Sequence, residues 1–290
     1  MKPLLRMMAA LCLGLHLTGA VAETRCDDPR PLRIGFIPKS DAQHLRDIHQ
    51  PLLQRLRWVL QRPVELVPAS SYGAVAEGLL AGQIDVAELG PATYALVMQR
   101  QRDAVAPFAS VAAQGQSGVA TYQSVLVVHG DTGFDDVRVL RGRSVALIDP
   151  ASTSGALLPR QSVAELTGRD LDQHFKSVTY TGSHDRAIQA VSKRLVDAAF
   201  VSSSRLTEAE RLGRLRLGEL RVIWRSVAIP RDPFVYRMKL CAPVREAIAR
   251  TFFSGDAALR PLLDALDSPA FVPVSDKDYA AVRERLEALR

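Results

Sequence analysis

Ser152, Thr153 and Ser154 stand in a row between an Asp149-Pro150 turn and Gly155, where a strand-like apolar run gives way to a helical pattern. The first N–H groups of a helix have no partner inside it and carry partial positive charge, so an anion placed there meets ready donors. Three hydroxyls add side-chain donors at the same point, whereas a single one would read as a helix cap and nothing more. Thr181-Gly182-Ser183-His184-Asp185 repeats the arrangement after a second strand-like run, with His184 in the first turn and able to donate to an anion. His184 taken alone would equally suit an exposed capping loop. Tyr72 and Tyr94 open two further helical patterns, each after an apolar run, where a phenol reaches a cleft or sits in a core.

Other chemistries are poorly served. A nucleophilic serine needs a base and a strained turn of the type G-x-S-x-G, which A-S-T-S-G-A does not supply. His44 and His49 are five residues apart and so off a common helix face, and no His/Cys/carboxylate set has zinc-site spacing. Phosphate-cradling and dinucleotide glycine fingerprints are absent as well. Neither an enzyme nor a resident cofactor or metal is expected.

The elements that position these residues alternate in type. Leu32 to Pro38 reads as a strand, and Leu52, Leu53, Leu56, Val59 and Leu60 recur at helical spacing after Pro51, which fits a first helical position or a kink. Val64 to Val67 (strand), Tyr72 to Leu80 (helix), Ile84 to Leu89 (strand) and a helix from Ala92 to Gln101 continue a βαβ rhythm. Two extended runs follow, Ala104 to Ala113 and Gln123 to Val128. A second series then has strands at Ser144 to Asp149, Val178 to Thr181 and Val196 to Val201, with helices opening at the hydroxyl run and near His184. A charged helical segment is expected over 207–219, strands over Arg221 to Trp224 and Phe234 to Met238, and a mainly helical end including Asp276 to Leu289. Ligands of open α/β sheets bind beyond the carboxyl ends of the strands. Two such series can turn those ends toward each other across a cleft.

Lys2 and Arg6 precede an apolar run from Met7 to Leu17 and the small residues Ala20-Val21-Ala22, the pattern of a cleaved export signal over residues 1–22. Leu11 before Cys12 is wrong for a lipoprotein signal, and no apolar run reaches the ~20 residues of a membrane helix. Loss of Lys2 and Arg6 takes the formal charge from +6 to +4, without basic runs or interleaved aromatics, so nucleic acid is not an expected partner. A modest positive balance suits either collection of small anions or simple solubility. The roughly 268 remaining residues suffice for one large domain or two ordinary lobes. An oxidising compartment favours pairing of Cys26 with Cys241, the two cysteines beyond the leader.

The order SYGAV, DVAELGPATY, YQS, DPASTSG, GSHD, VDAA and IPRDP, spread over residues 32–240, resembles the phosphate/phosphite/phosphonate-binding periplasmic proteins of ABC transporters. STSG and GSHD at this separation are its most specific parts. The resemblance implies an α/β, two-lobed periplasmic binding protein of type II, with mixed, mostly parallel sheets, a hinge and an interlobe cleft. Such a protein closes on an oxyanion and delivers it to a membrane permease; the alternative is a receptor that presents its closed form to a membrane sensor kinase. By the same resemblance, Ser152, Thr153 and Ser154 would hold phosphorus-bound oxygens, helped by Tyr72, Tyr94 and His184. Asp232 falls where aminophosphonate binders carry an acid facing the amino group. The VSSS after VDAAF offers no second carboxylate, which weighs against an amino-bearing ligand. Glu88 stands where family members more often carry aromatics, and a carboxylate there would repel an anion unless protonated, paired or turned away.

The expected organisation is a first lobe from residues 23–122 plus 229–290 and a second from 123–228, with Cys26 and Cys241 both in the first, in a monomer.

Overall fold

The computed structural model describes residues 26–115 and 118–288; the expected leader lies outside the described residues. The chain first lays down β1 (Leu32–Phe36), α1 (Ala42–Leu60), β2 (Val64–Val67), α2 (Tyr72–Leu80), β3 (Val86–Glu88), α3 (Pro91–Arg100) and β4 (Val105–Val111). It crosses through β5 (Thr121–Tyr122) into β6 (Ser124–His129), β7 (Ser144–Leu147), α4 (Leu158–Thr167), α5 (Leu171–His174), β8 (Ser177–Tyr180), α6 (His184–Ser192), β9 (Ala198–Ser202), α7 (Ser203–Arg211) and β10 (Leu220–Arg225). It returns through β11 (Ile229–Pro230) to β12 (Phe234–Arg237), α8 (Ala242–Phe252), α9 (Arg260–Ala265), β13 (Phe271–Pro273) and α10 (Ala280–Glu287).

These strands form a six-stranded sheet in the order β13-β4-β12-β3-β1-β2 and a five-stranded sheet in the order β10-β6-β9-β7-β8. Both are mixed: β1 runs parallel to β2 and β3, and β7 parallel to β8 and β9, while β12, β13 and β6 pair antiparallel with their neighbours. Between the sheets, β5 and β11 pair antiparallel, Tyr122 opposite Ile229.

Helical spacing of leucines makes α1 amphipathic: Leu45, Leu52, Leu53, Leu56 and Leu60 are buried, and Asp41 caps its start by accepting from the N–H groups of Gln43 and His44. Pro51 lies inside this helix. Parallel strands are covered on both faces and so read as continuous apolar runs; in β7, Val145, Ala146 and Leu147 are all fully buried. One core cluster joins α2 and β3 of the first sheet to Val125, Ala146, Ile148 and Val201 of the second, so the two sheets share apolar packing.

The structure departs from two sequence expectations. The helix expected over 207–219 is α7, which starts at Ser203 and stops at Arg211, because the backbone then turns through left-handed glycines at Gly213 (φ 67°) and Gly218 (φ 79°). The C-terminal region, expected to be mainly helical, also supplies β13, which joins the edge of the first sheet against β4. Cys241 forms a disulfide with Cys26, at a sequence separation of 215.

Candidate functional site

A cavity of about 480 Å³ opens between the two sheets, with Lys39, Tyr72, Tyr122, Ser152, Thr153 and Asp232 in its wall. Each arrives from the end of a strand or the start of a helix. Lys39 follows β1, Tyr72 opens α2, Tyr122 ends β5, and Ser152 and Thr153 follow β7. Asp232 lies between β11 and β12, and its loop is pinned where Ser110 Oγ donates to the carbonyls of Arg231 and Asp232.

The hydroxyl run does open a helix, in an uncommon form: residues Thr153–Leu157 make one π-helical turn that continues into α4. Ser152 Oγ accepts from the Gly155 N–H at 3.1 Å. Thr153 Oγ1 accepts from the Ala92 N–H of α3 at 2.8 Å. A hydroxyl that accepts from a backbone N–H keeps its own proton to donate, and both hydroxyls border the cavity. Tyr72 interacts with the Ser152 hydroxyl, and Tyr122 with those of Ser154 and Thr153. Burial, then the Asp232 carboxylate, pushes both phenols above their ordinary range, so they remain protonated donors. Ser154 itself is buried; its carbonyl accepts from Ser124 Oγ at 2.6 Å, and it is not part of the cavity wall.

His184 opens α6 behind this wall. Its Nδ1 accepts from the Ser202 N–H at 3.1 Å, which fixes the neutral tautomer with the proton on Nε2. Burial, then the nearby Arg205 and Lys39 charges, lowers its pKa to about 3. The structure does not bring Tyr94 to the cavity: its hydroxyl donates to Asp276 Oδ1 at 2.7 Å and its ring packs edge-on against Tyr279. Gly155 leaves space for Ile148 rather than for a ligand, since a Cβ there would lie 2.2 Å from Ile148 Cγ1.

Glu88 is paired: Lys39 Nζ lies 2.6 Å from its Oε1 and 3.1 Å from Asp232 Oδ2. Burial would raise the Glu88 carboxyl, yet Lys39, with His49, holds it down at about 2. Sequence reasoning did not single out Lys39 or Tyr122 as site residues. Tyr122 was visible only as part of YQS, and Lys39 only as a cation just past a strand's carboxyl end. Among the described residues, no group of three or more His, Cys, Asp or Glu side chains could hold a metal ion. No described helix is long and apolar enough to cross a membrane.

The two sheets lie clasped together. Thr93 Oγ1 donates to the Ala151 carbonyl at 2.9 Å, the Tyr72 N–H to Asp149 Oδ2 at 3.1 Å, and His44 Nε2 lies 2.9 Å from Glu208 Oε1. A donor-lined hollow between two α/β lobes, closed over by bonds from each to the other, defines the class of two-lobed solute-binding proteins. The profile described as "ABC transporter, phosphonate, periplasmic substrate-binding protein" matches residues 34–279, and the chain belongs to that family, one of substrate-binding transport proteins rather than enzymes. It is 28% identical over 274 residues to the phosphate-import protein PhnD of Mycolicibacterium smegmatis, covering 88% of this chain and 84% of that one. It is equally 28% identical, over 279 residues, to the phosphonates-binding periplasmic protein of Escherichia coli, covering 94% and 80%. A binding protein component of an ABC phosphonate transporter from Pseudomonas aeruginosa superposes with a TM-score of 0.81 at 25% identity, covering 89% and 86%.

Proposed function

We propose that this protein captures a phosphorus oxyanion (phosphonate, phosphite or phosphate) between a lobe of residues 23–122 plus 229–290 and a lobe of residues 123–228, and delivers it to an ABC permease. Export by the leader over 1–22 and action as a monomer belong to the same proposal. The observation that carries it is the pair of hydroxyls, Ser152 and Thr153, each accepting from a backbone N–H and each meeting a phenol, Tyr72 or Tyr122, at the wall of an interlobe cavity, where an anion can take the protons that these pairs share. Tyr72 and Tyr122 add protonated phenols, and the backbone N–H groups that open the π-turn add donors without intrahelical partners. Ser154 and His184 support this wall from behind, and Tyr94 is assigned to packing rather than to the ligand.

The magnitudes allow useful affinity. A micromolar dissociation constant corresponds to about 8 kcal/mol, and hydrogen bonds to a charged group contribute roughly 1.5 to 3 kcal/mol each. Closure follows because the anion gains partners from both lobes only when they meet.

The test is a thermal-shift titration of the mature protein against phosphonate, methylphosphonate, phosphite and phosphate, with sulfate as a control for bare charge. The wild type should be stabilised by at least one phosphorus oxyanion. Ser152→Ala combined with Thr153→Ala should lose that stabilisation while keeping its circular dichroism. Loss of the acceptor for the Ala92 N–H should itself lower the unliganded stability by about 1–3 kcal/mol. Titration curves unchanged in the double variant would overturn the site.

A further inference from the structure

The cavity wall holds an ion cluster that anion capture does not require. Lys39, Glu88 and Asp232 come from the ends of three separate chain segments, and their side chains are only 10%, 4% and 15% exposed. One ammonium sits between two carboxylates, at 2.6 Å and 3.1 Å. Two buried carboxylates converging on one point are what a ligand's ammonium group would seek, since charge-assisted bonds to both would replace its lost hydration. In this chain the ammonium is the protein's own. Burial favours the neutral amine, but Glu88 and then Asp232 oppose it and leave the Lys39 pKa raised. Lys39 and Asp232 face the cavity while Glu88 lies behind them; Arg205, Arg211 and Arg231 add further cations to the lining, and of its other carboxylates Glu208 is paired with Arg205 and His44 while Asp267 lies at an exposed position.

We propose that Lys39 is a specificity-determining residue: a built-in ammonium that occupies the Glu88–Asp232 pair, so that the cavity admits phosphorus oxyanions with neutral or anionic substituents and rejects those bearing an ammonium group. This rests on the reading of the cavity as an oxyanion site. An incoming ammonium finds both carboxylates already engaged and meets Lys39 and Arg231 as like charges, a juxtaposition that disfavours binding. The cavity, at about 480 Å³, has room for a substituent beyond a five-atom tetrahedral anion, so this wall bears on which ligand is chosen. Removal of Lys39 leaves two buried carboxylates without their cation, and a ligand's ammonium can then take its place.

The experiment compares two ligands of nearly equal shape, propylphosphonate and 2-aminoethylphosphonate, with methylphosphonate alongside, by isothermal titration of the full mature protein with its disulfide intact. The wild type should bind propylphosphonate at least about tenfold more tightly than 2-aminoethylphosphonate. Lys39→Met should shift that ratio toward 2-aminoethylphosphonate by at least about tenfold. Where Lys39→Met fails to fold, Lys39→Met with Glu88→Gln leaves one carboxylate, Asp232, and should shift the ratio the same way. Equal binding of the two ligands by the wild type, a preference for the amine, or an unchanged ratio in the folded variant overturns the role of Lys39. So does a wild type that binds methylphosphonate alone, followed by a variant that gains neither longer ligand. A wild type that binds no phosphonate, phosphite or phosphate at all overturns the oxyanion reading, and this inference with it.

Discussion

A histidine at a helix start behind a cavity wall invites a reading as a positive charge, yet His184 is held neutral. Its Nδ1 is committed to the Ser202 N–H, and its pKa is lowered to about 3, chiefly by burial. In the unfolded chain the same imidazole titrates near ~6.5. The unfolded state therefore takes up the proton first, so stability is fully present above pH ~6.5 and is lost progressively as pH falls toward 3. Urea midpoints measured between pH 7 and ~4.5 should fall for the wild type, and His184→Asn, which keeps an acceptor for Ser202, should flatten that slope. An unaltered slope in the variant would show that the protonation belongs elsewhere. Single residues were unevenly legible in the sequence. The Ser152-Thr153-Ser154 run announced itself because its members are adjacent, and two of them do line the cavity. Lys39 did not, because its partners lie 49 and 193 residues away and only the fold brings them together. Tyr94 was drawn aside by Asp276, 182 residues distant, for the same reason.

The π-turn at Thr153–Leu157 is held by packing as much as by hydrogen bonds. The Gly155 carbonyl accepts from the Ile148 N–H at 3.1 Å, and its Cα rests against the Ile148 side chain. Gly155→Ala would push a methyl to 2.5 Å from Ile148 Cβ as well as against its Cγ1, and backbone-anchored β-branched residues yield little. The expected cost is about 1–3 kcal/mol of overpacking, read as a lowered midpoint in chemical denaturation. Because Ser152 Oγ accepts from the Gly155 N–H, anion affinity should fall as well. A variant with wild-type stability and affinity would refute the account of this glycine. At this scale the sequence was most readable where apolar periodicity was strong: α2, β1, β2 and β9 lie close to where spacing put them, whereas α1 begins at Ala42, ahead of Pro51. It was least readable over 207–219, where charged residues continue a helical pattern past the point at which the glycines end α7. The short β13 was missed because three residues at a sheet edge carry no period of their own.

At the scale of the whole molecule, the first sheet is assembled from chain segments on either side of the second, so β12 and β13 belong to it although the whole second sheet lies between them and β4 in the chain. Cys26 and Cys241 bind the two ends of that arrangement. In a chain-entropy picture, a cross-link spanning 215 residues contributes roughly 5 kcal/mol, less any native strain. Reduction, or Cys26→Ser with Cys241→Ser, should lower the melting temperature while leaving anion affinity near the wild-type value, since neither cysteine touches the cavity. Equal melting temperatures with and without reductant would remove the disulfide from the stability account. The crossing ribbon of β5 and β11 carries a separate consequence. Tyr122 belongs both to that ribbon and to the cavity wall, so under the proposed function a side chain facing the cargo is built into the axle about which the halves would swing. Selectivity altered at position 122 would therefore also alter the posture offered to the membrane complex. Lys39 is tied to the same ribbon through Asp232, two residues past β11, so retuning there would bear on that posture too.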